Sequence, residues 1–221
     1  MDLIEKKRKV LILGAGGHSK VVADVIRAAG GEVIGLCDLD PSNLGKEVEP
    51  GGGRVVVLQD ELLADVPGVL RRLGATECIV AIGHNGVRQK LSDALGEFLA
   101  KPWIDPRAIL SPSATIQDGT VVLPGVIINA AARVGSAVIL NTACVIEHDA
   151  VIEDGVHVSP GATLCGGVKV RQGAWVGAGS TVIPLREVGE GAVVGAGACV
   201  VRDVPARVTA VGVPAKIRGE K

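Results

Sequence analysis

The chain has no tyrosine, one phenylalanine, one methionine and two tryptophans among its 221 residues. A 48% hydrophobic content with 1% aromatic must therefore rest on Val, Ile, Leu and Ala. That suits an interior too narrow for rings. An excess of one charge is missing too: 23 Lys and Arg face 24 Asp and Glu, for a net charge of −1. Without basic clusters interleaved with aromatics, a nucleic-acid surface is not expected. Long apolar runs are absent. Behind the basic start Met1–Lys9, Val10-Leu11-Ile12-Leu13 meets Gly14 after four residues, too short for a signal-peptide core. Nothing approaches the ~20 residues of a membrane span. The five cysteines show no CxxC spacing. Cys144 and Cys199 are assigned to small inward places as buried thiols, and a cytoplasmic protein is the simplest expectation.

What is present is a period of six, unbroken from Trp103 to Val204. The sixes run WIDPRA, ILSPSA, TIQDGT and so on to CVVRDV, numbered here as rungs 1 to 17. The second place is a branched aliphatic in all of them, from Ile104 to Val200. The sixth is small or β-branched except at Arg186. Six fits neither the 3.6 spacing of a helix nor the alternation of a strand. It fits a parallel β-solenoid, one short strand and one turn per six, with Gly, Asn and Asp at the corners.

The stretch before Lys101-Pro102 reads differently. Lys9–Leu13, Glu32–Cys37, Val55–Leu58 and Glu77–Ile82 read as strands. Helices are expected from about Val21 to Ala29, from an N-cap at Asp60 to Leu73, and from Val87 to about Leu99. Alternation of this kind predicts a small parallel α/β, Rossmann-like domain over 1–100 before a solenoid domain over 101–221. The loop Gly14-Ala15-Gly16-Gly17-His18 opens a helix N-terminus, a natural seat for an anion. Asp38 ends the second strand, where ribose hydroxyls are usually held. Ser19 occupies the third-glycine place of GxGxxG, so the dinucleotide fingerprint is incomplete. A tight turn alone would explain the glycines. Their conjunction with His18 and Asp38 favours a nucleotide.

The sixes and the closing Val211-Gly212-Val213-Pro214-Ala215-Lys216 resemble the hexapeptide repeat of left-handed β-helix acyltransferases. With the GAGGH loop in front, nearly the whole chain is similar to bacterial nucleotide-sugar acyltransferases. These include the sialic acid O-acetyltransferase type and N-acetyltransferases of UDP- or GDP-linked 4-amino sugars. The resemblance implies three sixes per coil, a left-handed β-helix and a homotrimer, with acetyl-CoA as co-substrate and no metal. It implies a nucleotide-sugar site at Gly16, Gly17, His18, Asp38 and Gly83; Leu39 departs from the family's second acid. It makes His148 the general base, oriented by Asp149, with Glu147 a weaker candidate. It places acetyl-CoA against His157, Gly166, Ala178 and Lys216. A base of near-neutral pKa suits removal of a proton as an amine or hydroxyl attacks a thioester. Sugar O-acetylation and a non-catalytic nucleotide-binding scaffold are the competing expectations. A three-histidine zinc hydrolyase is disfavoured, since the solenoid holds only His148 and His157.

Overall fold

The computed structural model describes residues 7–49 and 53–218. The basic stretch Met1–Lys6 lies outside them. Two compact units are present: residues 1–83 with 90–100, and residues 84–89 with 101–221. The short segment 84–89 thus groups with the solenoid.

The first unit is a five-stranded sheet. Its strands are β1 (Lys9–Leu13), β2 (Glu32–Asp38), β3 (Glu47–Glu49), β4 (Gly53–Leu58) and β5 (Glu77–Val80), in the order β3-β4-β2-β1-β5. All adjacent pairs are parallel except β3–β4. The edge strand β3 was not legible, because Glu47-Val48-Glu49 carries one apolar residue. Helix α1 (Gly17–Ala28) follows β1, and α2 (Gln59–Ala64) with α3 (Val66–Leu73) follows β4. The expected helix from Asp60 to Leu73 is therefore two. Asp60 lies in the first turn of α2 and is not its N-cap, which is Leu58. The break is at Asp65, whose carboxylate accepts from the Gly68 amide at 2.9 Å and caps α3, with Pro67 in the first turn. Helix α4 (Asn85–Leu95) starts two residues before the expected Val87 and passes into a 3₁₀ turn at Gly96–Phe98.

The second unit is a left-handed parallel β-helix. Seventeen two-residue strands, Trp103–Ile104 to Cys199–Val200, open the seventeen rungs without an extruded loop. They stack into three sheets, the faces of a prism. The first face holds rungs opening at Trp103, Val121, Ile139, His157, Trp175 and Val193; the second, Ile109, Ile127, Val145, Thr163, Thr181 and Cys199; the third, Thr115, Arg133, Val151, Lys169 and Glu187. Each strand pairs in parallel with the one eighteen residues on, as Ile146 with Leu164. Second-place aliphatics are buried from Val122 to Val200, and half-buried at Ile104, Leu110 and Ile116. Each buried one contributes roughly 1.5–3 kcal/mol. A short antiparallel pair, Thr209–Val211 with Lys216–Ile217, closes the first face.

The fifth place of the six makes the corner. From rung 3 to rung 16 it lies in the left-handed region in every case, at φ between +53° and +73°. Gly or Ala occupies it everywhere except at Asp149 and Leu185. A side chain there costs roughly 1–2 kcal/mol.

Cys144 is buried at the sixth place, and desolvation pushes its thiol up to about 12. The burial expected of Cys199 is not found. It occupies a first place, which points outward, and is half-exposed. Among the described residues no helix is long and apolar enough to cross a membrane.

Leu140 is fully buried in the ladder. Leu140→Ala is expected to lower the unfolding free energy by about 2–5 kcal/mol. Denaturant titration measures it, and an unchanged midpoint would show that the ladder collapses around the gap.

Candidate active site

In the first unit the proposed nucleotide residues share one edge of the sheet. Gly14 follows β1 at φ +109°, and a Cβ there would lie 2.9 Å from the Ala81 carbonyl oxygen, so only glycine fits. Gly16 is the N-cap of α1 and Gly17 its first residue. No side chain caps this end and no acid lies in its first turn, which leaves the positive helix terminus to other anions. Ser19, the departure from GxGxxG, is buried and donates its hydroxyl to the Gly16 carbonyl at 2.7 Å. It meets the tight packing wanted there by satisfying itself locally. His18 is half-buried in the first turn of α1. Asp38, at the end of β2, accepts from the Asp40 amide at 3.1 Å and from Asn43 Nδ2 at 2.9 Å. Each carboxylate oxygen is thereby oriented and retains acceptor capacity. Leu39 is exposed beside it. Gly83 follows β5, the other neighbour of β1, and is exposed.

In the solenoid His148 projects from the corner between the second and third faces, with 63% of its side chain exposed. Its Nδ1 lies 2.8 Å from Asp149 Oδ2. An ionised carboxylate only accepts, so Nδ1 carries the proton and Nε2 presents its lone pair. Asp149 reaches this position from φ +60°. Gly166 lies one coil on, in the same column as His148. A Cβ on Gly166 would come within 2.6 Å of His148 Nε2. Glycine at 166 is thus what lets the imidazole lie against the next coil. Sequence reasoning assigned this glycine to acetyl-CoA alone; its periodicity gave no hint of the histidine.

His157 is on the outer surface of the first face, away from the His148 corner. The Asn141 side-chain oxygen accepts from the Thr142 amide at 2.8 Å, which orients its Nδ2 toward His157 Nε2 at 3.1 Å. One coil on, Trp175 stacks on the imidazole at 5.8 Å between centroids and 5° between planes. Its indole N–H donates to Ser159 Oγ at 2.8 Å. Neither Asn141 nor Trp175 was singled out from the sequence, although both open or follow strands of the same column. Ala178 is exposed at the corner between the first and second faces. Lys216 lines a cavity of about 360 Å³ with Arg202, Asp203 and Ile217. The structure therefore gathers His148, Asp149 and Gly166, and holds His157, Ala178 and Lys216 apart from them. Among the described residues no group of three or more His, Cys, Asp and Glu could hold a metal ion.

Segment 84–89 was also missed. The Arg88 guanidinium is 1% exposed and donates to the carbonyls of Ala137 at 2.7 Å, Gly155 at 2.7 Å and Val156 at 3.2 Å. Burial pushes its pKa down to about 10. Asn85 Nδ2 reaches the next two carbonyls, Gly173 and Ala174, at 3.0 and 3.1 Å. His84 Nδ1 accepts from the Val87 amide at 3.2 Å.

Residues 9–95 match the PglD N-terminal domain family. UDP-N-acetylbacillosamine N-acetyltransferase of Bacillus subtilis (strain 168) is 42% identical over 123 residues, 52% of this chain and 51% of that protein. The match thus spans about half the length of this curated relative. A solved structure reaches further. Perosamine N-acetyltransferase from Caulobacter crescentus, a histidine-to-asparagine mutant in complex with CoA and GDP-perosamine, is 39% identical with a TM-score of 0.86, over 96% of this chain and 97% of that one. The chain belongs to the left-handed β-helix acetyltransferases of nucleotide sugars. The acetyltransferase domain of PglB from Neisseria gonorrhoeae FA1090, in complex with acetyl coenzyme A, is similar too. It is 34% identical, with a TM-score of 0.84 over 96% of this chain and 99% of that chain.

For a member of this family the Gly166 contact is a direct test of His148. On the reading of His148 as a base proposed below, Gly166→Ala is expected to displace the imidazole and lower acetyl-transfer turnover by about 10²-fold. Circular dichroism should stay unchanged, since φ at 166 is not in the left-handed region. Normal turnover would show that His148 need not rest on that coil.

Proposed function

We propose that this protein transfers the acetyl group of acetyl-CoA to the 4-amino group of a UDP- or GDP-linked deoxy-amino sugar, with His148 as general base. The observation that carries it is the His148–Asp149 pair. Nδ1 is tied to the carboxylate at 2.8 Å, so Nε2 is left as the acceptor of a ring that is 63% exposed. The amine nitrogen attacks the thioester carbonyl and the new C–N bond forms. The C–S bond breaks, Nε2 takes the proton from the amine, and that proton passes to the departing thiolate of CoA. The relatives support the substrate class: one is in complex with CoA and GDP-perosamine and carries a replaced histidine, and another holds acetyl coenzyme A. On this reading residues 1–100 bind the nucleotide sugar through Gly16, Gly17, His18, Asp38 and Gly83. Residues 101–221 form the acetyltransferase domain. His157, Gly166, Ala178 and Lys216 meet acetyl-CoA, with Lys216 suited to a phosphate. Sugar O-acetylation would use the same base and carbonyl chemistry, but the N-acetyltransferases among the relatives favour the amine.

The test is thiol release from acetyl-CoA with UDP- and GDP-linked 4-amino sugars and free sialic acid as acceptors. Release should depend on an amino sugar, and His148→Ala should lower turnover by about 10²–10⁴-fold. Release with sialic acid alone would establish the O-acetyl reading, and no acceptor-dependent release would leave a scaffold.

The site is shared between copies in a homotrimer. His148 and His157 leave one chain from different parts of the prism. The outward first places of the second face, Ile109, Ile127, Val145, Thr163, Thr181 and Cys199, carry no charge, whereas the third face presents Arg133, Lys169 and Glu187. An uncharged, largely β-branched face is fitted to packing against another copy. Trimers re-formed from mixed His148→Ala and His157→Ala chains are expected to regain activity, because some clefts then receive a native residue from each side. Mixed trimers no more active than either mutant alone, beside a re-forming wild-type control, would refute the shared site.

A further inference from the structure

Ala137, Gly155 and Gly173 are corner residues of one column, and all three lie in the left-handed region. Their turns lead into the strands that open at Ile139, His157 and Trp175, consecutive on the first face. Between these coils the backbone ladder runs onto carbonyls of the second, fourth and sixth places. Asn141 N–H donates to Val158, Gly155 N–H to Ser136 and Ile139 N–H to Val156. The fifth-place carbonyls of this column stand outside that ladder and need another donor. Segment 84–89, which belongs to the same compact unit as the solenoid, supplies it. Arg88 Nε donates to Ala137 at 2.7 Å, and Nη2 donates to Gly155 at 2.7 Å and Val156 at 3.2 Å. Asn85 Nδ2 donates to Gly173 at 3.0 Å and Ala174 at 3.1 Å, and its oxygen accepts from Arg88 Nη2 at 2.9 Å. The buried guanidinium and the amide beside it thus tie three successive turns together.

The restraints on the His157 imidazole come from the same three rungs. Asn141, in the rung that Ile139 opens, lies 3.1 Å from Nε2. His157 itself follows directly on the Gly155 and Val156 carbonyls that Arg88 holds. Trp175, stacked on the ring, follows directly on the Gly173 and Ala174 carbonyls that Asn85 holds. The Ala174 carbonyl also accepts the His157 N–H, at 3.1 Å. Ring, amide and indole therefore keep their mutual geometry only while the three turns stay in register. We infer that Arg88, joined to Asn85, is a positioning residue for His157, acting on the ring through the corner carbonyls. What this serves rests on the reading above, in which His157 meets acetyl-CoA.

The experiment follows the His157 ring directly in the full-length chain. Isotope-labelled histidine gives one Cε1–H signal for each of the four histidines, and His157→Gln identifies the signal of His157. The ring current of the stacked indole sets that signal apart. Wild type, Arg88→Met and Asn85→Ala are compared. Arg88→Met keeps an unbranched side chain and removes the donors. In both variants the His157 signal should lose its indole shift or broaden, while those of His18 and His148 stay in place. KM for acetyl-CoA should rise about tenfold in Arg88→Met, as misplacement by a remote substitution does, and KM for the amino sugar should not change. An unmoved His157 signal in both variants overturns the inference. Comparable shifts at His18 and His148 overturn it too, since they mark a general loss of structure. If Arg88→Met fails to fold with its carbonyls left unpaired, Asn85→Ala decides alone, because it keeps the guanidinium. A moved His157 signal with unchanged KM for acetyl-CoA upholds the positioning and overturns the assignment of His157 to acetyl-CoA.

Discussion

Stacking of each residue on the one eighteen places later is the constraint from which the solenoid follows. Ile128, Ile146, Leu164, Val182 and Val200 form one such column, in register strand by strand. Backbone hydrogen bonds run from coil to coil, so no rung can shift without breaking the bonds of its neighbours on both sides. The interior must then be branched aliphatic at the second place and small or β-branched at the sixth, with Arg186 the one exception. That uniformity explains the near absence of aromatics better than any property of a site could. It also confines chemistry to the corners and the outward places, where a substitution leaves the ladder intact.

What the sequence made legible follows the same division. The ladder was readable because a period of six tolerates almost no exception inside. The outward position of His148 was readable from its fourth place in the six, and its acid partner from adjacency. Contacts across coils were not. Gly166 looks like any corner glycine until the imidazole is seen beside it, eighteen residues away in sequence. Trp175 over His157 is the same case, with the same separation. Arg88 is further removed still: a lone arginine in an amphipathic helix reads as solvated, whereas here its Nε and Nη2 donate to carbonyls of the solenoid and to Asn85.

In the α/β unit the strands were legible and the helix boundaries less so. Apolar runs ended by glycine or acid specify β1, β2, β4 and β5 almost residue by residue. The helix after β4 shows what competes with periodicity. Asp65-Val66-Pro67 combines a capping carboxylate with a proline at the first turn, and that local signal wins over the continuous apolar spacing from Leu62 to Leu70. The break was present in the sequence as turn chemistry. Cys199 failed for a different reason, namely a miscounted place in the six, since only the second and sixth places face inward.

The two solenoid histidines have opposite hydrogen-bond arrangements, and these favour His148 over His157 for the base proposed above. His148 gives Nδ1–H to Asp149, which leaves Nε2, beside Gly166, as the acceptor of the ring. His157 has Nε2 occupied as acceptor from Asn141, whose amide is itself fixed by the Thr142 N–H. Its ring is further pinned by a parallel indole, and the indole by Ser159. A base must keep a lone pair open until it receives a proton. His148 meets this demand, with one local partner and an exposed ring. His157 does not meet it at Nε2, and its three-sided restraint is that of a positioning group. The proposed proton removal thus falls at the strained corner, where the solenoid tolerates a side chain that its own packing does not require.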